Sequence, residues 1–246
     1  MSKTRTDGFK SADALPESAR EALAASLLSL ADNKRILGMR YGEWILGAPT
    51  LEAGIACSAM AQDEWGHARI LYATLKDFEF EPNVLEHERP ADEYLNSELL
   101  DEPVAEWPDL LALKLLEEER FHFEHGRGWA MRLGDTGAGR KALEAAFRKA
   151  VGPCLRWFGR PESEFGRQLV DAGVVSADAD ELRRRWRDRI TPVFAEAGLE
   201  IPESGEADVV EWDDWDADRR RAAGGALDEV TLARIRGDKN RSMLMD

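Results

Sequence analysis

Apolar residues along this chain recur at steps of three and four, and stretches of strict alternation are few. That period belongs to helices with one buried face. It predicts helices at about 17–46, 50–77, 109–133, 137–159, 163–171 and 178–197. The punctuation agrees. Pro16 precedes the first helix, and Gly47, Ala48, Pro49 and Thr50 form the turn that ends it, with Thr50 placed to cap the second. Gly134, Asp135, Thr136 and Gly137 separate the third from the fourth, and Pro161 and Pro202 close later ones. Between residues 78 and 108, Pro82, Pro90, Pro103 and Pro108 stand among many acids, so no long uninterrupted helix fits there. The expected organisation is a flexible N-terminus over 1–16, a helical bundle over 17–200, and a poorly ordered or partner-dependent tail over 201–246 with Trp212 and Trp215 as its anchors on another surface.

Three heptad stripes carry the chemical argument. The first helix reads Leu23, Leu27, Leu30, Lys34, Leu37, Tyr41, Trp44; the second Ala53, Cys57, Met60, Glu64, His67, Leu71, Thr74; the third Ala112, Leu115, Glu119, His122, Gly126, Trp129, Leu133. The second and third are interrupted by the same pair, Glu-x-x-His. Residues i and i+3 share a helix face about 4.5 Å apart along the axis, so one metal can take both side chains. Ferritin-like di-iron and di-manganese sites are built this way, from Glu-x-x-His on two helices and a lone Glu on each of two others. The spacing therefore nominates Glu64, His67, Glu119 and His122 as metal ligands. The competing reading is a metal-free polar cluster with Lys34 as its counter-ion. Asp63 is placed either to accept a hydrogen bond from a ligating histidine or simply to face solvent. His125 reads as a surface or partner-facing residue and His87 as solvated.

Hairpin geometry tests the first helix. With the turn centred near 48–49, the residue level with Glu64 is Asn33 or Lys34, whereas Glu43 lies about 15 Å from that level. Lys34 thus meets the site where a carboxylate is wanted. A protonated ammonium cannot ligate a metal, but it can replace one by pairing with Glu64 or Glu119.

Charge and composition narrow the class. The chain has 246 residues, with 33 Lys and Arg against 48 Asp and Glu, a formal charge of −15. That balance opposes nucleic acid or an anionic membrane as partner. Two cysteines make no disulfide framework, and neither a signal-like start nor an 18-residue apolar run is visible. A cytoplasmic protein is expected. GDTGAG at 134–139 does not fit a dinucleotide fingerprint, so any electrons must come from a separate reductase. Tyr41, Trp44, Phe121 and Trp129 would line an aromatic substrate cavity or else form plain core. The arginines at 183, 184, 185, 187 and 189 would hold phosphates or form a solvated helix face.

The run LADNKRILGMRYGEWILGAPTLEAGIACSAMAQDEWGHARILY (30–72) resembles the phenylacetic acid catabolic protein family, the ferritin-like subunits of the phenylacetyl-CoA ring epoxidase. EERFHFEHGRGWAMRLGD (118–135) is similar to that family's second motif helix, and KALEAAFRKAVGPCLRWFG (141–159) to the helix after it. The resemblance implies an all-α ferritin-like bundle and one of two subunit types. One binds two irons and uses O₂ to epoxidise an aromatic CoA thioester; the other is a structural partner lacking metal ligands. QDEWGH and EERFH resemble the first type and imply Glu64, His67, Glu119 and His122 as iron ligands. The LADNKRILGMRYGEW run resembles the second, with Lys34 at the first-helix ligand position. Glu64 and Glu119 stand only 55 residues apart, too few for the family's additional long helix, so the bundle is expected to lack one helix of the usual four. Three roles follow: an iron-bearing monooxygenase component, with a di-iron or mononuclear centre; a non-catalytic scaffold with Lys34 replacing metal charge; or an iron-handling bundle. The implied partners are other oxygenase subunits or further copies of the chain.

Overall fold

A computed structural model describes residues 11–116, 120–199 and 210–237. Helix α1 (Glu17–Glu43) and α2 (Leu51–Thr74) form the long hairpin that the pattern predicts. The Thr50 hydroxyl accepts from the Ala53 amide at 3.2 Å, satisfying one of the free N–H groups that open α2. The two axes approach closely at Gly38: a Cβ there would stand 2.5 Å from Trp65 Nε1 and 3.1 Å from the Ala61 carbonyl. Only a residue without a side chain lets these backbones pack so tightly.

The buried face of α2 runs Ala53, Cys57, Met60, Ala61, Glu64, Ala68, Tyr72. It matches the heptad stripe as far as Glu64 and then departs from it. A straight helix drifts about 20° per heptad relative to a 3.5-residue seam. After Glu64 the inward positions are therefore reached by steps of four, and His67 and Leu71 give way to Ala68 and Tyr72. In α1 the same correction is larger. Leu30 is exposed, whereas Ser29, Ala31, Asp32 and Asn33 are buried together with the expected Leu37 and Tyr41.

The expected helix 109–133 is two helices. The α3 segment is Pro82–His87, α4 is Trp107–Leu116 and α5 is Arg120–Gly134. The Trp107 and Trp129 rings stand 5.2 Å apart, edge to face. On one continuous helix, residues so separated in sequence would lie about 33 Å apart. Helix α4 therefore runs antiparallel beside α5 and also packs on α6 (Gly137–Trp157). Leu110, Leu111 and Ala112 are fully buried, which is what a ten-residue helix with so little polar surface requires. The fold is an all-α ferritin-like bundle.

Helices α7 (Glu164–Asp171) and α8 (Ala179–Glu196) follow, capped by the Ser163 and Asp178 side chains. Phe194 of α8 meets Phe147 of α6 at 4.3 Å between ring centres. No described helix is long and apolar enough to cross a membrane.

The tail departs from expectation. Over 210–237 it folds into a short antiparallel hairpin, β1 (Trp215–Asp216) with β2 (Arg221–Ala222), followed by α9 (Glu229–Ile235). It docks on its own chain. Arg221 is buried, paired with Asp101 and donating to the Tyr94 carbonyl at 3.1 Å. Arg40 of α1 pairs with Asp228 at 3.3 Å, and Arg234 with Glu43. Trp212 and Trp215 pack edge to face, and Arg183 and Arg156 lie over their respective faces. Both tryptophans thus pack against arginines of this chain's own helices α6 and α8.

Candidate functional site

Four side chains meet in the bundle interior. Lys34 and Tyr41 come from α1, Glu64 from α2 and His122 from α5. Glu64 and His122 are both fully buried. The Lys34 ammonium lies 2.9 Å from Glu64 Oε2 and 3.3 Å from Oε1. His122 Nδ1 stands 3.0 Å from Glu64 Oε1, and the Tyr41 ring meets the imidazole edge-on at 5.5 Å. The level-matching along the hairpin thus holds: Lys34 reaches Glu64 from the facing helix. A buried carboxylate is costly unless its charge is met; here the Lys34 ammonium meets it, with the His122 imidazole beside it.

Of the four nominated ligands, Glu64 and His122 come together. His67 does not join them on the inner face: it is exposed, about 60° round the helix from Glu64. Glu119 lies outside the described residues, as does the side chain of Phe121. Asp63 is exposed, and His125 is part-buried beside Trp129 and Arg132 at a separate pocket. Among the described residues, no three His, Cys, Asp or Glu side chains converge as a metal would require. Glu64, one of the four nominated ligands, is engaged by an ammonium, which brings positive charge but no lone pair.

The aromatic set is largely core. Trp44 and Trp129 both pack on Trp107, and the Trp44 indole donates to the Val104 carbonyl at 3.0 Å. The arginine run is mostly spent on structure. Arg183 donates to the Leu155 carbonyl at 3.1 Å and also to the Gly159 carbonyl, closing the end of α6, while Arg184 and Arg185 pair with Glu181.

A second charged cluster has no counterpart in the sequence pattern. Asp32, two residues before Lys34, is fully buried and paired with Arg89. It also accepts from the Tyr72 hydroxyl at 2.6 Å and from the Leu95 amide at 2.8 Å. Burial pushes the Asp32 carboxyl above its ordinary range, against the opposing pull of Arg89, Tyr72 and Leu95. Burial likewise drives Tyr72 well above the usual phenol value, and takes Tyr94 up to about 12. Next to this knot, the Ser97 amide donates to Asn33 Oδ1 at 3.0 Å and Ser29 donates to the Leu95 carbonyl at 3.0 Å. Arg40 adds a bond of 2.7 Å to the Leu100 carbonyl. The proline-rich strap from 85 to 104 is thus tied along α1 through backbone groups that helices would otherwise have satisfied. The polar pair Asp32-Asn33 within an apolar helix is the available signal, but nothing in its spacing names Arg89 as partner.

Against known proteins, a family model described as phenylacetic acid catabolic protein matches residues 1–117 and 111–219. The chain is 26% identical over 212 residues to one subunit of the 1,2-phenylacetyl-CoA epoxidase of Escherichia coli K12, covering 74% of this chain and 84% of that relative. To a second, different subunit of the same enzyme it is 22% identical over 222 residues, covering 78% of this chain and 72% of that relative.

Proposed function

The chain belongs to the phenylacetic acid catabolic protein family, and from that premise we propose that it is a supporting subunit of a multicomponent ring epoxidase acting on phenylacetyl-CoA. In this role it stabilises a metal-bearing ferritin-like partner and carries no oxygen-activating centre itself. The observation behind this reading is the Lys34 ammonium 2.9 Å from Glu64 at the level where a bundle of this kind would present a ligand. Lys34 supplies the charge that iron would supply. The aromatic CoA thioester and the separate reductase then belong to the assembly as a whole, in the cytoplasm.

The test has two arms. The full chain, purified from iron-replete cells, is assayed for metal and for association with a co-expressed family member of the metal-bearing type. The expected result is far less than one iron per chain together with a stable hetero-complex. Two irons per chain would restore the monooxygenase reading, and iron bound without any hetero-complex would favour iron handling. Lys34→Glu sharpens the result: with His67 turned outward, it should not create a two-iron site.

A further inference from the structure

A cavity of about 330 Å³, with Lys34 on its wall, opens between α1, the end of α6, α7 and the start of α8. Its wall is mainly apolar and includes Leu30, Leu37, Trp157, Phe165 and Leu169. That volume lies in the range of small-ligand sites. One lining group does not suit an apolar void. Arg220, from the β1–β2 turn, reaches in with its guanidinium over the Phe165 ring, 4.5 Å from the centroid. Its backbone is left-handed, with φ of 54°, a conformation that L-residues other than Asn and Asp rarely adopt. The chain therefore holds a strained residue in a position that sends a cation into a greasy pocket, and strain of this kind clusters at ligand sites.

No carboxylate among the described residues pairs with Arg220. Nearby arginines are treated differently: Arg183, Arg219 and Arg221 each have carbonyl or carboxylate acceptors. Asp178 does line the cavity, but its carboxylate is taken up in capping α8, accepting from the Glu181 amide at 2.8 Å. Burial pulls the Arg220 guanidinium down to about 10 with nothing offsetting it. The hydroxyl of Ser29 and the amide of Asn33, also in the wall, are turned to the strap and carry its Leu95 carbonyl and Ser97 amide. Of the charged side chains lining the cavity, Lys34 pairs with Glu64 and Asp178 caps α8, which leaves Arg220 as the cation without a described counter-ion.

We propose that this cavity is a binding site for a small amphipathic monoanion, a carboxylate on an apolar chain or ring, with Arg220 taking the carboxylate and the Leu30–Leu37–Phe165–Leu169 wall taking the apolar part. The planar guanidinium suits bidentate recognition of a carboxylate, and a desolvated site strengthens that pairing. Lys34 also lines the cavity, with its ammonium on Glu64, so the two sites adjoin, but the anion site does not rest on the supporting-subunit reading.

The probe is octanoate, titrated calorimetrically into the full chain, with 1-octanol and octylammonium as matched-tail comparators. Octanoate should saturate at one site and bind at least about tenfold more tightly than either comparator. Arg220→Gln should weaken octanoate by about tenfold or more and leave 1-octanol within about twofold, while Arg220→Lys keeps much of the preference. Should Arg220→Gln fail to fold, Leu30→Trp decides: it fills the cavity from its exposed rim and should remove octanoate binding with Arg220 intact. No saturable binding, equal affinity for acid and alcohol, or a Leu30→Trp variant that binds octanoate as well as the parent would each overturn the proposal.

Discussion

Two buried charge clusters share helix α1, and they behave differently. Asp32 faces the strap and is met by a guanidinium, a phenol and a backbone amide. Lys34 faces the bundle interior and meets Glu64, which in turn meets His122. The first cluster joins a helix to an irregular segment, so its job is to fix where that segment lies. The second joins three helices at the level where a ferritin-like bundle would place metal. Positions two residues apart on one helix thus hold a structural knot and a charge-compensated counterpart of a ligand set. Burial and ion pairing alone do not tell them apart; what the partner is attached to does.

The comparison breaks most visibly at the knot. Replacing Arg89 by Ala leaves Asp32 buried without its cation, and removal of one partner of a buried pair typically costs about 3–5 kcal/mol. Urea unfolding of this variant should show a loss in that range, and Asp32→Asn combined with Arg89→Met should lose distinctly less. Equal losses for the single and double variants would mean the pair is not the source of the stability.

A smaller effect is expected at the inner cluster. Lys34→Ala removes one of the two described partners of Glu64, and the lysine side chain is itself partly open to water, 16% exposed. A loss of about 1–3 kcal/mol is expected. In a double-mutant cycle with Glu64→Gln, the coupling should exceed about 0.5 kcal/mol. Strict additivity would mean that Lys34 and Glu64 do not stabilise each other in the folded chain.

The smallest effect is local and depends on pH. Asp228 caps α9 and pairs with Arg40. Partial burial works against its charge, but hydrogen bonds from Thr231 and the Arg40 guanidinium outweigh that and hold it below the ordinary carboxylate value. A carboxyl lowered in the folded state contributes stability that is present above its unfolded value near 3.8 and is lost as pH falls through the lower folded value. Asp32 has the opposite sign, since its carboxyl is raised and takes up a proton more readily folded than unfolded. Acidification below about pH 4 should therefore loosen α9 before the knot. Amide exchange should show rising rates over 229–235 while Leu95 and Tyr72 stay protected; the reverse order would contradict the assignment of the two shifts.

Legibility in the sequence differs by residue. Glu64, His122 and the Lys34 level can be read because each is a polar interruption of an apolar helical period, and a hairpin with a short turn fixes which positions face each other. His67 escapes that reading because a 3.5-residue seam, extended past Glu64, parts from a straight 3.6-residue helix that has rotated away from it. The break between α4 and α5 is hidden because a run of Leu followed by acids keeps helical period on both sides of a reversal. Asp32 and Arg220 are out of reach for a different reason: their neighbours lie 57 and 55 residues away in a strap and a helix start, with no repeat linking them.

By itself the chain determined the helical class, the α1–α2 hairpin and the meeting of Lys34 with Glu64, because these follow from local periodicity and a turn of known length. Only the tertiary structure decided which way His67 points, that a ten-residue helix folds back along α5, that the tail closes over its own body, and that Arg220 stands in an apolar cavity. Those outcomes depend on burying surface between segments far apart in sequence, and no local pattern carries the free energy of that packing.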